Sequence, residues 1–236
     1  MKVAILFGPP GAGKGTQAHL ISDNFDAIHF STGNIIRAEI SSGSPLGLQV
    51  KKRVEEGHFV DDELLFQCIN SYLDKLIKDS YEETKLSSHK SQKSLGEKYL
   101  ILDGVPRNLE QVSLLDTALK EHGLSVNVVI CMKVNFEALI KRFSMRWTCR
   151  VCHATYSFES QEDAQNFTCT ACGSTQSLYK RADDEEETAH RRYDLYVKAT
   201  RPVITIYRNR GIVHNIDGLG TVDGVHHEIV EILKKY

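Results

Sequence analysis

The chain of 236 residues carries 29 Lys and Arg against 31 Asp and Glu, a formal net charge of -2, with hydrophobic residues at 41%. That length accommodates one domain with insertions and buries well over half of the unfolded surface, so size alone calls for no covalent staple. The near-neutral balance argues against a general nucleic-acid binder or a polybasic membrane protein, and no apolar run approaches the ~20 residues that a bilayer crossing takes.

Val3–Phe7 reads as a short buried strand. It runs into Gly8-Pro9-Pro10-Gly11 rather than a small-residue cleavage site, so we expect neither a secretory signal nor an organelle presequence, and a cytoplasmic protein. A helix is expected from Lys14 to about Asp23. Between strand and helix, the four glycines of Gly8–Thr16 let successive backbone N–H groups curl toward one anion. The helix N-terminus adds its dipole, and Lys14 adds a mobile charge able to reach β- and γ-phosphate oxygens. The general phosphate-loop pattern places Ser or Thr directly after the lysine, to hold Mg²⁺. Here Gly15 stands there and Thr16 comes one later, so Thr16 is expected on a phosphate oxygen instead.

A short strand near Ala27–Ser31 follows, then apolar runs at Tyr99–Leu102, Val126–Val134 and Gly211–Ile216 with helical patterns between them. This alternation predicts an α/β fold whose five-stranded parallel sheet is covered on both faces. Asp103 ends one of these runs, and α/β sheets bind ligands at the carboxyl ends of their strands. It is a candidate for organising Mg²⁺ through waters, since that ion dehydrates reluctantly. Asp79–Lys98, with five Ser and four Lys, is too polar for a core and reads as a helix end and solvated loop. Val222–Tyr236 reads as a C-terminal amphipathic helix.

Of six cysteines, four form two CxxC pairs, Cys149/Cys152 and Cys169/Cys172, with 16 residues between the pairs. Two such knuckles complete a tetrahedron of thiolates around one ion, expected to be zinc. A closed four-sulfur shell leaves no position for substrate, so the metal would be structural. Two disulfides, four free thiols, or iron on the same ligands are the alternatives. Trp147–Tyr179 has few large apolar residues, so the metal is expected to stand in for a core that the segment cannot build. His153 is expected to face solvent. Cys68 and Cys131, with no motif around them, are expected as buried apolar residues.

Taken together, the motifs come in a definite order: GPPGAGKGT at Gly8–Thr16, STGNIIR at Ser31–Arg37, DGVPRNLEQ at Asp103–Gln111, the pair Arg142 and Arg146, and RADD at Arg181–Asp184 with Arg192 beyond it. This ordered set resembles the adenylate kinases in their long-lid form, over nearly the whole chain apart from 79–98. The resemblance implies a P-loop three-layer fold, with a core of residues 1–31, 62–145 and 184–236, a small helical NMP-binding domain at 32–61 and a zinc-binding lid at 146–183. It implies reversible, Mg²⁺-dependent transfer of the γ-phosphoryl group of ATP to AMP, giving ADP. The enzyme would serve nucleotide biosynthesis as a monomer with no nucleic-acid or membrane partner.

The resemblance also assigns roles. On the ATP side it implies Gly11, Ala12, Gly13, Lys14, Gly15, Thr16, Arg142, Arg146 and Gly220. On the AMP side it implies Thr32, Arg37, Phe59, Val60, Gly104, Arg107 and Gln111, with Arg181 and Arg192 bridging the transferring group. Lys14, Asp103, Arg107, Arg142, Arg146, Arg181 and Arg192 form the catalytic set. The chemistry agrees, because phosphoryl transfer requires alignment and spread positive charge rather than a protein nucleophile. Guanidinium groups suit that work by holding two phosphate oxygens each at fixed geometry.

Thr32 and Gln111 are the pair expected to touch adenine; pyrimidine-accepting relatives tend to carry Ala and Asn there. Asn34 stands where the family usually has Asp, and Val105 where Phe is usual, so an altered affinity is expected rather than a lost reaction. Within the same fold, a kinase for UMP, CMP or GMP, or one that prefers GTP as donor, is the alternative reading. A zinc-ribbon nucleic-acid binder would need a basic face, and Thr155–Gln176 holds no Lys or Arg. An inactive homologue would not be expected to keep every cation together with Asp103.

Overall fold

A computed structural model describes residues 1–56, 58, 60–63, 65–67, 69, 70, 72–74, 76 and 98–236. Phe59, Cys68 and residues 79–97 lie outside the described residues, and with them the expectations placed there. The described strands are β1 (Lys2–Phe7), β2 (Ala27–Ser31), β3 (Tyr99–Asp103), β4 (Val126–Lys133), β5 (Arg146–Cys149), β6 (Thr155–Ser157), β7 (Leu178–Tyr179) and β8 (Val213–Asp217). The helices are α1 (Lys14–Asn24), α2 (Thr32–Ser42), α3 (Pro45–Glu55), α4 (Leu109–Glu121), α5 (Phe136–Met145), α6 (Gln161–Asn166), α7 (Glu186–Leu195), α8 (Arg201–Asn209) and α9 (Val222–Leu233). The described residues between 62 and 76 are helical as well.

Five strands form one sheet in the order β2-β3-β1-β4-β8, every neighbouring pair parallel. The central strand shows why its sequence is apolar throughout. Val3, Ile5 and Phe7 point to a face packed by Leu115 and Leu119 of α4 and by Val203 and Tyr207 of α8. Ala4 and Leu6 point to the other face, against Ala18 and Ile21 of α1 and Ile229 and Leu233 of α9. Burying both faces requires a continuous apolar run rather than an alternating one. Each large side chain so buried contributes about 1.5–3 kcal/mol.

Short polar side chains start the helices that carry function. Ser31 caps α2 through Asn34 N, Asn108 caps α4 through Gln111 N, and Asn135 caps α5 through Ala138 N. Register then brings the strand ends together: Leu6 lies beside Asp103, and Asp103 beside Ser31. The phosphate loop, Asp103 and the start of α2 therefore share one edge of the sheet, as the rule for α/β sheets requires.

A second sheet, β6-β5-β7, is antiparallel and lies in the segment that carries the CxxC pairs. The segment was expected to hold too few apolar residues for a core, and it builds a small one. Trp147, Ala154, Ala164 and Leu178 form a small buried cluster with Cys149 and Cys169, and Tyr156, Phe158 and Phe167 pack against it. The Tyr156–Phe167 and Phe158–Phe167 ring centroids are 4.9 and 5.0 Å apart. Three aromatic rings cover enough area to build a core from few residues.

Candidate active site

The phosphate loop wraps the N-terminus of α1. Gly13, its N-cap, has φ 97 and offers no side chain, leaving the helix N–H groups for a ligand. Only glycine takes that left-handed backbone without strain. Lys14 Nζ donates to Gly8 O at 2.9 Å and Pro9 O at 3.0 Å. Burial, together with Arg107, Arg192 and Arg146, outweighs Asp103 and draws its ammonium down to about 8. Gly15 lies against Asp103, since a Cβ there would stand 3.6 Å from Oδ2. Burial alone would push the Asp103 carboxyl up, but the His29 ring and Lys14 beside it leave it below the usual carboxylate range. His29 Nε2 stands 3.7 Å from Asp103 Oδ2, too far for a hydrogen bond.

Beyond the loop lies a cleft of about 540 Å³ lined by Lys14 and by Arg37, Arg107, Arg142, Arg146, Arg181 and Arg192. Gly11, Ala12, Gly13, Gly15, Thr16, Val60, Asp103, Gly104 and Gly220 also line it. The structure thus gathers one Lys and six Arg from six separate stretches of chain, Arg142 and Arg146 lying only four residues apart. Arg142 braces the loop itself, donating to Ala12 O at 3.2 Å and to Gly218 O at 2.6 Å.

Two carboxylates that sequence reasoning left without a role organise the other arginines. Arg146 Nε donates to Asp184 Oδ2 at 2.7 Å, and its Nη2 also bonds that carboxylate. Arg181 makes the same fork to Asp183. Arg192 Nη1 lies 2.9 Å from Asp183 Oδ2 and 3.5 Å from Asp184 Oδ1. Such bidentate pairs fix the guanidinium planes. Among the described residues, the seven cations of the cleft face the lining carboxylates Asp103 and Asp183, together with Asp184 paired with Arg146, which leaves an excess of four positive charges. That surplus suits a polyphosphate. The signal for Asp183 and Asp184 was present in the RADD motif, but the partners of Asp184 lie up to 38 residues away.

The wall under α2 is built differently. Arg37 Nη2 donates to Asn34 Oδ1, a neutral partner. Burial, with Arg181 nearby, draws Arg37 down to about 9. Gly104, at φ 92, is pressed so closely that a Cβ would meet Thr32 Oγ1 at 2.4 Å. Arg107 Nε donates to Gly104 O at 2.6 Å, and Thr200 Oγ1 fixes the Arg107 carbonyl at 2.8 Å. Thr32 and Gln111, expected to touch the base, are 2% and 1% exposed and lie beneath the cleft wall rather than on it.

His153 departs from its expected exposure. It is half-buried, holds a left-handed backbone at φ 61 and lines the cleft, with its Nδ1 buried and unpartnered. Burial and the charges of Arg37 and Arg181 hold its pKa below the usual histidine value. Cys131 is buried as expected, and burial raises its thiol pKa.

The ligand atoms of Cys149, Cys152, Cys169 and Cys172 all lie within 4.8 Å of one another. Zn–S bonds of ~2.3 Å in a tetrahedron would set the sulfurs about 3.8 Å apart. The Cys149–Cys172 and Cys152–Cys169 separations are 3.8 and 3.5 Å. The surroundings also favour thiolates. Ser177 Oγ lies 3.3 Å from Cys149 Sγ, Tyr156 Oη 3.1 Å from Cys169 Sγ, and Val151 N–H donates to Cys149 Sγ. These bonds overcome burial and lower the pKa of Cys149 and Cys169, whereas burial and the neighbouring sulfurs raise that of Cys152. Four sulfurs gathered this closely, with donors aimed at two of them, fit a metal ion.

Residues 6–212 match the family model described as adenylate kinase. The chain is 37% identical over 231 residues, 98% of its length and 97% of the relative's, to an adenylate kinase of Archaeoglobus fulgidus. It is 38% identical over 229 residues to an adenylate kinase of Caldanaerobacter subterraneus subsp. tengcongensis, covering 97% of this chain and 95% of the other. It is 38% identical over 232 residues, 98% of each chain, to an adenylate kinase of Methanosarcina barkeri.

Proposed function

Because the chain belongs to the adenylate kinase family, we propose that it transfers the γ-phosphoryl group of ATP reversibly to AMP, giving ADP, by in-line displacement inside the arginine cleft. The observation that carries this reading is the convergence of Lys14 and six arginines on one cavity at the mouth of the phosphate loop. Two nucleotides bring several negative charges to within bonding distance of each other, and an excess of fixed cations offsets that repulsion.

The α1 N-terminus and Lys14 hold the donor phosphates, and Arg37 and Arg107 hold the AMP phosphate. Arg146, Arg181 and Arg192, kept in place by Asp183 and Asp184, meet the group in transfer. No protein atom becomes covalently bound, and proton transfer from the acceptor phosphate needs no dedicated base. Mg²⁺, when bound, spreads the charge of the β- and γ-phosphates, and ionised Asp103 at the strand edge is the carboxylate that would receive its water shell.

The four-cysteine cluster is suited to a structural zinc ion. In this reading zinc holds the segment around β5–β7 as one rigid lid, within the domain bounds 146–183, with the NMP-binding domain at 32–61 and the core in the remaining residues. A lid over the phosphates keeps water from taking the phosphoryl group in place of AMP.

The test is ADP formation from Mg-ATP with AMP, CMP, UMP and GMP offered separately at equal concentration. Strong preference for AMP is expected. Preference for another acceptor would overturn the base assignment, and activity with none would overturn the reaction.

A further inference from the structure

Asp62 is not among the residues that line the cleft, yet its two carboxylate oxygens grip two amide side chains of the α4 start. Oδ2 accepts from Asn108 Nδ2 at 3.0 Å, and Oδ1 accepts from Gln111 Nε2 at 2.5 Å. On its other side, Gln111 Oε1 accepts from Arg107 N at 2.6 Å. The chemistry alone fixes which end of the amide is which. A carboxylate only accepts, so the group facing Asp62 must be the NH₂; a backbone N–H only donates, so the group facing Arg107 must be the oxygen. Turning the amide over would set oxygen against carboxylate and NH₂ against N–H in a buried place, where unmade bonds are costly.

After these two bonds, Gln111 keeps one lone pair on Oε1 and one hydrogen on Nε2. Gln111 is 1% exposed and lies behind the cleft lining, so these two groups meet a base that settles against the wall where Val60 and Arg107, two and four residues before Asp62 and Gln111, line the cleft. An acceptor on the oxygen side and a donor on the nitrogen side match a 6-aminopurine, whose exocyclic amine donates and whose ring N1 accepts. A 6-oxopurine presents the reverse pattern.

We propose that Asp62 is a specificity-determining positioning residue, whose carboxylate locks the Gln111 amide in the orientation that accepts a 6-aminopurine nucleotide and rejects a 6-oxopurine one. The proposal rests on the proposed reading of Gln111 as the base-contacting residue. Asp62 acts only through Gln111.

The test compares AMP with IMP, which differ at that purine edge alone, as acceptors in the metal-loaded full chain. In D62N, the residue at 62 can either accept or donate, so only the Arg107 N–H still favours the native orientation of the amide and the flipped one costs less. The ratio of kcat/KM for AMP to that for IMP is expected to fall at least about tenfold. KM for AMP should rise, while kcat at saturating AMP stays near the wild-type value. Asn108→Ser keeps a capping oxygen for α4 but loses the bond to Asp62. It should leave the ratio unchanged, because a merely structural role for Asp62 would affect both variants alike. Should D62N fail to fold, Asp62→Ser serves the same comparison. A ratio unchanged in D62N, or moved equally by Asn108→Ser, would overturn the proposal. Gln111→Met separates the two levels. If it collapses the ratio and D62N does not, Gln111 reads the base without the lock. If it leaves the ratio intact, the base reading fails and the lock with it.

Discussion

In the parallel-sheet body, β1 and β3 bury all but one residue each and β4 buries five of its eight, on both faces. In the cysteine-bearing module, β6 leaves two of its three residues exposed, and the buried cluster draws on Trp147, Ala154, Ala164 and Leu178 plus two cysteines. The body buries two broad apolar clusters, one on each face of its sheet. The module supplements a thin aromatic core with sulfur atoms placed for an ion. The two are joined by charge: Arg146 opens β5, Asp184 follows β7, and their buried pair ties the module's entry to its exit. The difference teaches that the two regions fail for different reasons, and each can be made to fail separately.

Metal removal should give the largest effect, since a structural zinc site is worth ~10–16 kcal/mol at neutral pH. Trp147, the chain's single tryptophan, sits in the module and reports on it alone. Chelation should change its fluorescence and abolish turnover, while the far-UV thermal melt of the body stays in place. Coincident loss of both signals would erase the distinction.

Packing changes come next. Ile101→Ala, at a position with no exposure, should cost about 2–5 kcal/mol and lower the body's melting temperature. Phe158→Ala should shift the tryptophan signal and leave the body's melt unchanged. Smaller again is Asp184→Asn at the junction, which loosens Arg146 and Arg192. We expect kcat to fall by about 10²-fold, in line with loss of one positioned transition-state contact, with the module's melt lowered because Arg146 loses its partner and the body's melt near wild type.

The smallest effect separates the regions by pH. In the body, His122 Nδ1 bonds Ala118 O, and Nε2 bonds Asp74, 48 residues away in the chain. Those bonds raise its pKa. A raised folded-state value contributes stability below the unfolded value of about 6.5 and loses it as pH rises through the folded value. His122→Ala should flatten that slope by a few tenths of a kcal/mol once solvent screening is discounted. The module should show the opposite sign, because its thiolates release metal as pH falls.

Much of this was legible in the sequence, for physical reasons that differ by element. The strands stood out because burial on both faces leaves unbroken apolar runs such as Val3–Phe7. The phosphate loop and the cysteine pairs stood out because their chemistry needs residues close together in the chain. The pairing of Arg146 with Asp184, and of Gln111 with Asp62, spans 38 and 49 residues and depends on how strands and helices come to rest. The placement of His153 in the cleft depends on a left-handed backbone that histidine rarely adopts. The burial of Thr32 beneath Gly104 likewise follows from a close approach that only the assembled fold produces.

The central claim is that fixed guanidinium charge in one cleft performs phosphoryl transfer to AMP. Its most direct test is steady-state ADP formation from Mg-ATP and AMP by the metal-loaded protein, beside Arg192→Lys and Arg107→Lys. We predict rapid ADP formation by the parent chain and kcat losses of about 10²–10³-fold in the variants, with unchanged thermal melts. Lysine variants as active as the parent, or a parent chain that forms no ADP, would contradict the account.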